Sequence, residues 1–433
     1  MEATAHIGIR EAISMIQENA YAAMDMTLYD VTQYYAGERR RIADMMAAAP
    51  DYLLSRSDIL AADPSLDYIA LDLPGRFDQT IEGLPYQNPY LYSWLLDCLR
   101  YCDEKLWGQG AQRLPFIVAT APTGRFDAIA LRGSPDNGIL IEDGLLNVAT
   151  QFSNTLALIL YDKGVGSTYI ERSDEAMLSA MDEDDRLVGH LARTIWEYVV
   201  DGYSFLPGVM SKSAYDDEDH AIRHVLSLGF LFFVFEHERY HLDWWQQGND
   251  GSVFEASGRD MWERCKDHIA DVLPTMTAEA FCRLHATHGE ELLADFHAFN
   301  AVTVLGQKEG TYAASITGAL MFFMIADMVQ YVCFRLQEPE FIGRLYTLDG
   351  QLLSLVAILT AESHPYAFLR KCSIASEIGR LLPAHLDTLL SVDRKLDLVA
   401  QSVKVALDNM VAAAPAPPVP HAKWAFGKSL TGF

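Results

Sequence analysis

The chain's most constraining feature is His237-Glu238-Arg239-Tyr240-His241, set at the end of the apolar run Gly229-Phe230-Leu231-Phe232-Phe233-Val234-Phe235. The pattern predicts a helix over residues 221–245. On a helix, two histidines four residues apart share one face, one turn apart. Both imidazoles can then reach a single metal ion. Glu238, one step along, can take a proton from a water activated by that ion.

Two histidines do not close such a site, and a third protein ligand is needed. Downstream lies Gly289-Glu290-Glu291-Leu292-Leu293-Ala294-Asp295, within a helix expected over residues 278–304. Glu291 and Asp295 stand one turn apart with apolar residues between them. A buried carboxylate is costly without a charged partner, and a metal would be that partner for Glu291. Asp295 would then accept the far N–H of a ligand histidine and fix its tautomer. The plainer reading of Glu291 alone is a surface helix with a solvated acidic face. His285, His288 and His297 are alternative third ligands.

H-E-x-x-H followed by E-x-x-A-D resembles the gluzincin metallopeptidases. Three further segments are similar to the branch of CAAX-prenyl proteases and HtpX-type proteases. Ser363-His364-Pro365 with Arg370 resembles that branch's T-H-P-x-x-x-x-R motif. Asp127-Ala128-Ile129-Ala130 resembles its N-A-[FY]-A strand, and Ile139-Leu140-Ile141-Glu142-Asp143-Gly144-Leu145-Leu146 its strand leading into a G-L-L helix. The elements keep the family's order across residues 114–375. The resemblance implies one Zn²⁺ held by His237, His241 and Glu291, with Glu238 as general base. His364 and Arg370 become candidate stabilisers of the tetrahedral intermediate; the plainer readings are a satisfied histidine in a His-Pro turn and an arginine paired with a carboxylate. Residues 127–130 become a strand that pairs with an extended peptide substrate. The family has asparagine where this chain has Asp127. An ionised carboxylate cannot donate to an oxyanion, so that contribution is in doubt.

The chain has 433 residues, half of them hydrophobic, enough for a sizeable core. Its formal net charge of −26 argues against nucleic acid and anionic membrane surfaces as partners. The N-terminus shows no basic stretch followed by an apolar one, so no secretory signal is expected. Six scattered cysteines without a C-x-x-C suggest reduced thiols in a cytoplasm. The apolar stretch over residues 316–334 approaches the length of a membrane span. It contains Asp327 and Gln330, and the expectation is a buried core helix and no membrane insertion. Leu348-Asp349-Gly350 is read as a turn.

The expected fold class is α+β, predominantly helical: a gluzincin-like core with a small sheet beside the metal helix. Residues 1–110 form an N-terminal helical region. Residues 111–380 form the catalytic domain, with an insertion near 161–220. A C-terminal helix covers 381–412, and an Ala/Pro-rich tail covers 413–433. Strands are expected at 114–120, 126–131 and 138–141. The acidic stretches 182–185 and 216–219 read as solvated loops or helix starts. They lack the alternating ligands and central glycine of a calcium loop.

The expected activity is hydrolysis of a peptide or protein substrate by metal-activated water. Nothing in the sequence signals an oligomeric state. Two other readings stay open. Glu238-x-x-His241 also fits a di-iron carboxylate oxidoreductase. That needs a second E-x-x-H, for which Asp217-x-x-His220 is the nearest substitute. The other reading is a non-catalytic protein that retains the gluzincin fold.

Overall fold

A computed structural model describes residues 8–48, 83–108, 116–123, 126, 128–133, 136–163, 169–201, 220–249, 251–272, 276–337 and 367–414. Asp127, His364, the 348–350 turn, the 216–219 acidic stretch and the Ala/Pro tail beyond 414 lie outside these residues. The described chain is predominantly helical, with two small sheets. It divides into two compact units. One takes in the described residues of Met1–Thr123 and Asp127–Leu145. The other takes in Phe126 and the described residues of Leu146–Ser204 and Met210–Phe433.

In the first unit, helices α1 (Ile9–Ala22), α2 (Leu28–Ala48) and α3 (Pro89–Trp107) accompany a three-stranded sheet. Strand β1 (Phe116–Ala121) runs parallel to β3 (Asn137–Glu142), and β2 (Ala128–Leu131) pairs antiparallel with β3. The order β1-β3-β2 leaves β2 at an edge. β3 is buried along its whole length, as a central strand of aliphatic residues should be. Ile9 and Ile13 of α1 pack with Ala119, Ala121 and Leu140. The strands expected at 114–120, 126–131 and 138–141 form with small shifts, and they group with the N-terminal helices.

A buried polar network ties this unit together. Gln17 Nε2 donates to the Thr120 carbonyl at 2.7 Å and to Gln87 Oε1 at 3.0 Å. Gln87 Nε2 donates to Thr120 Oγ1 at 2.9 Å, and Thr120 N–H returns a bond to Gln87 Oε1 at 2.8 Å. Asp143 lies buried beside Thr120 at the first turn of α4 (Asp143–Leu160). Burial pushes its carboxyl up to about 7, only partly offset by the Thr120 hydroxyl.

The second unit is a helical assembly around α7 (His220–Gln246). It packs against α9 (Ala278–Glu309) and α10 (Tyr312–Gln337), and α11 (Ala367–Leu381) and α12 (Leu386–Ala413) pack in turn against α10. Between α4 and α7 come the hairpin β4 (Tyr161–Lys163) and β5 (Tyr169–Glu171) and helices α5 (Asp174–Glu183) and α6 (Asp185–Trp196); α8 (Glu255–Val272) follows α7. The hairpin has no counterpart in the sequence expectations. In the first acidic stretch, Asp184 caps α6, accepting from Arg186 N–H at 3.2 Å.

Helix α7 is buried on all sides, so it carries no amphipathic stripe. Phe230, Phe232, Phe233 and Phe235 are fully enclosed, each contributing about 1.5–3 kcal/mol by transfer from water. α7 meets α10 through two glycines. A Cβ at Gly229 would come 2.7 Å from the Ser315 carbonyl oxygen, and Gly318 faces Gly229 from the other helix. The absent side chains let the two backbones touch.

Residues Tyr312–Cys333 are long and apolar enough to cross a membrane, but 83% of their most apolar window is buried inside the protein. The acid within this run is matched from the neighbouring helix: Lys404 Nζ lies 2.6 Å from Asp327 Oδ2 and over the Tyr331 ring. Helix α9 starts at Thr277, whose hydroxyl accepts from Ala280 N–H, and ends at Gly310, whose φ of 69° closes the last turn. Cys98, Cys102, Cys282, Cys333 and Cys372 are free thiols.

Candidate metal centre

Helix α9 buries one stripe, and its polar members define the site. His288, Glu291, Asp295, Ala298, Val302 and Leu305 recur at three- and four-residue steps, Phe281 lies two turns before them, and all are buried. An acid on that stripe cannot be solvated by its own helix. Glu291 is 7% exposed and Asp295 fully enclosed. What they meet is the end of α7.

His237, His241 and Glu291 converge. His237 Nε2 is 3.1 Å from Glu291 Oε2, and His241 Nε2 is 3.3 Å from Glu291 Oε1. The two Nε2 atoms face each other at 3.2 Å. All three groups are buried, and their ligand atoms lie within 4.8 Å of one another. A buried metal ion could be held by them. Among the described residues this is the only group of three or more metal-ligating side chains with that geometry.

The outer sides of both imidazoles are occupied by carboxylates. His237 Nδ1 lies 3.0 Å from Asp295 Oδ1, an approach close enough for an ion pair. His241 Nδ1 lies 2.8 Å from Glu290 Oε1. A carboxylate at Nδ1 favours the proton there and turns the Nε2 lone pair inward. That arrangement suits a cation. Without one, two inward lone pairs and a carboxylate would repel. Burial alone would lower the His237 pKa, but Asp295 and Glu291 outweigh it and raise it to about 10. A proton on His237 thus takes the place of the cation.

Arg370 of α11 sits behind Asp295. Its Nε donates to Asp295 Oδ2 at 2.7 Å and its Nη2 to Oδ1 at 2.6 Å. The guanidinium also stands 5.3 Å and 5.4 Å from the ring centres of Phe322 and Phe323. Burial would raise the Asp295 pKa. The Arg370 charge and hydrogen bonds, with His237, instead hold it below the usual carboxylate value. The family resemblance makes Arg370 a candidate stabiliser of the tetrahedral intermediate, with pairing to a carboxylate as the plainer alternative. The structure engages it on Asp295, and through Asp295 with His237.

Glu238 is buried on the turn between the two histidines. His297 approaches Glu236 at 3.6 Å, and the converging group includes none of His285, His288 or His297. Ala128, Ile129 and Ala130 form β2 of the first unit, in register with Ile141, Leu140 and Ile139. Trp244 stacks on Tyr240 and Phe254, and Trp245 tilts against the His241 ring with centroids 5.9 Å apart. Both indoles pack around the site. Glu290 is the functional-looking residue that the sequence reading passed over. The signal was present as a doubled acid, Glu290-Glu291, facing a two-histidine turn.

Comparison of the chain with protein-family models, with curated proteins and with solved structures gives no match.

Proposed function

We propose that this protein is a zinc-dependent metallopeptidase with a gluzincin-like centre. One observation carries the reading. Two histidines on one helical turn and a glutamate from a second helix point three donor atoms at one position, and carboxylates hold both imidazoles from behind. Nitrogen and oxygen donors in that number suit zinc with one coordination position left open. Zinc, when bound there, supplies Lewis-acid chemistry to water and to the scissile carbonyl.

The chain's own residues do the rest. Glu238 takes the proton of the attacking water as its oxygen bonds to the carbonyl carbon. It returns that proton to the amide nitrogen as the C–N bond breaks. Asp295 and Arg370 hold His237 in register, so that the donor set needs little rearrangement. The size of the group, with one bridging-capable carboxylate, favours a single ion over a di-iron pair.

The test is Glu238→Gln in the full chain, assayed for bound metal and for cleavage of an unstructured protein such as casein. The expected result is one zinc per chain retained and hydrolysis lost. Cleavage that survives the substitution would refute Glu238 as the base. Two irons per purified chain would refute the peptidase reading itself.

A further inference from the structure

We propose that Glu290 is a positioning residue of the metal centre, fixing His241 and adding negative charge beside a buried dication. The inference rests on the metal reading above and adds a residue to it.

The two carboxylates behind the histidines are not equivalent. Asp295 is shared: both its oxygens accept from Arg370, and Oδ1 also faces His237. Its charge is therefore offset before any metal is considered. Glu290 is not shared in this way. Among the described residues its one ion-pair partner is His241. The full carboxylate charge acts on the Nδ1–H of that ring, which raises the basicity of Nε2 as a ligand.

A charge count points the same way. With both histidines neutral, and Asp295 cancelled by Arg370, Glu291 alone would leave a bound dication with one excess positive charge. Glu290 brings the sum over ligands and their direct partners to zero; the Glu238 carboxylate adds one further negative charge until it takes the proton of the water. A net charge in a buried site carries a desolvation penalty, so neutrality favours binding.

The packing holds Glu290 where this requires. The preceding residue is Gly289, where a Cβ would come 2.6 Å from the Phe254 ring. The absent side chain lets α9 lie against the short turn Gly251–Phe254. Phe254 stacks on Trp244, while Trp245 covers the His241 ring. The imidazole is thus held between an aromatic wall and the two carboxylates. Rotation of the ring would break the 2.8 Å contact to Glu290.

The experiment uses the full chain as wild type, Glu290→Gln and Glu290→Asp. Zinc affinity is measured by competition with a chromophoric chelator. The cobalt(II) absorption spectrum and the unfolding midpoint of the metal-free protein are recorded alongside. Glu290→Gln is expected to weaken zinc by about 10–100-fold and to shift the cobalt bands. Its metal-free midpoint is expected to match wild type. Glu290→Asp, which retains the charge, is expected to recover part of the affinity. If wild type binds zinc and Glu290→Gln binds it within about twofold, the proposal is overturned while the metal reading stands. A metal-free midpoint that falls in step with affinity would also overturn it, since Glu290 would then be structural. Absence of zinc binding by wild type would overturn the metal reading itself.

Discussion

Replacing Arg370 with methionine isolates the energetic core of the site. Methionine keeps much of the apolar stem and leaves only His237 to offset the Asp295 charge. That carboxylate is fully enclosed and loses both guanidinium bonds, at 2.6 and 2.7 Å. Breaking one partner from a buried ion pair costs about 3–5 kcal/mol when the other charge is left without compensation, and His237 beside Asp295 places this case towards the lower end. A domain has only about 5–15 kcal/mol in total, so the loss is a large fraction of the stability. Urea unfolding of metal-free protein measures it directly. The double variant Arg370→Met/Asp295→Asn removes both charges and is expected to recover at least half of the loss. The pH dependence gives a second check. Asp295 is held below its ordinary pKa, so its stabilisation is present above about pH 4 and is lost as pH falls through the depressed value. Without Arg370 the folded-state pKa rises, and acid destabilisation begins at a higher pH. A single-variant loss under about 1 kcal/mol would refute the reasoning, since that is the scale of an exposed pair.

Other outcomes follow from the same contacts. His237 is raised to about 10 in the metal-free protein, above an unfolded value near 6.5. Its contribution to stability is present below about pH 6.5 and lost as pH rises towards 10. Metal binding must expel that proton, so zinc titrations in buffers of different ionisation enthalpy should report proton release, and apparent affinity should rise with pH across that range. Asp143 is raised to about 7, so stability in the first unit falls as pH rises from about 4 through 7. Asp143→Asn should flatten that dependence and stabilise the protein at pH 8, as read by hydrogen exchange; an unchanged profile would show that Asp143 is not the source. Gly229→Ala sets a methyl 2.7 Å from the Ser315 carbonyl oxygen, and an overpacked contact of this kind costs about 1–3 kcal/mol. Because α7 carries both histidines, zinc affinity should fall with it.

Much of the local structure was legible from the sequence because it depends on periodicity. The apolar run into His237, the short unbroken aliphatic stretch at residues 139–141 and the three- and four-residue spacing within α9 each name one kind of element. The His237–His241 pair was legible for the same reason: helical spacing fixes which side chains share a face, whereas Glu291, 54 residues from His237 on another helix, followed only from the upstream H-E-x-x-H and the resemblance to E-x-x-A-D. The outer carboxylates were only half legible. Asp295 followed from its place one turn after Glu291. Glu290 did not, since an acid one residue from a ligand points into solvent as often as into a site.

The sequence by itself determined which residues could share a helical face, and hence the pairing of His237 with His241, because that geometry is set by neighbours within a few residues; the arrival of Glu291 beside them, 54 residues from His237, is a tertiary matter. Tertiary structure decided everything that depends on distant segments meeting. It placed Arg370, 75 residues from Asp295, on that carboxylate rather than leaving it free. It gave Glu290 to His241, 49 residues away. It grouped the three strands with the N-terminal helices. None of these is encoded in spacing along the chain. Each arises because a buried charge must find an opposite charge or a donor, and only the folded chain determines which one lies within reach.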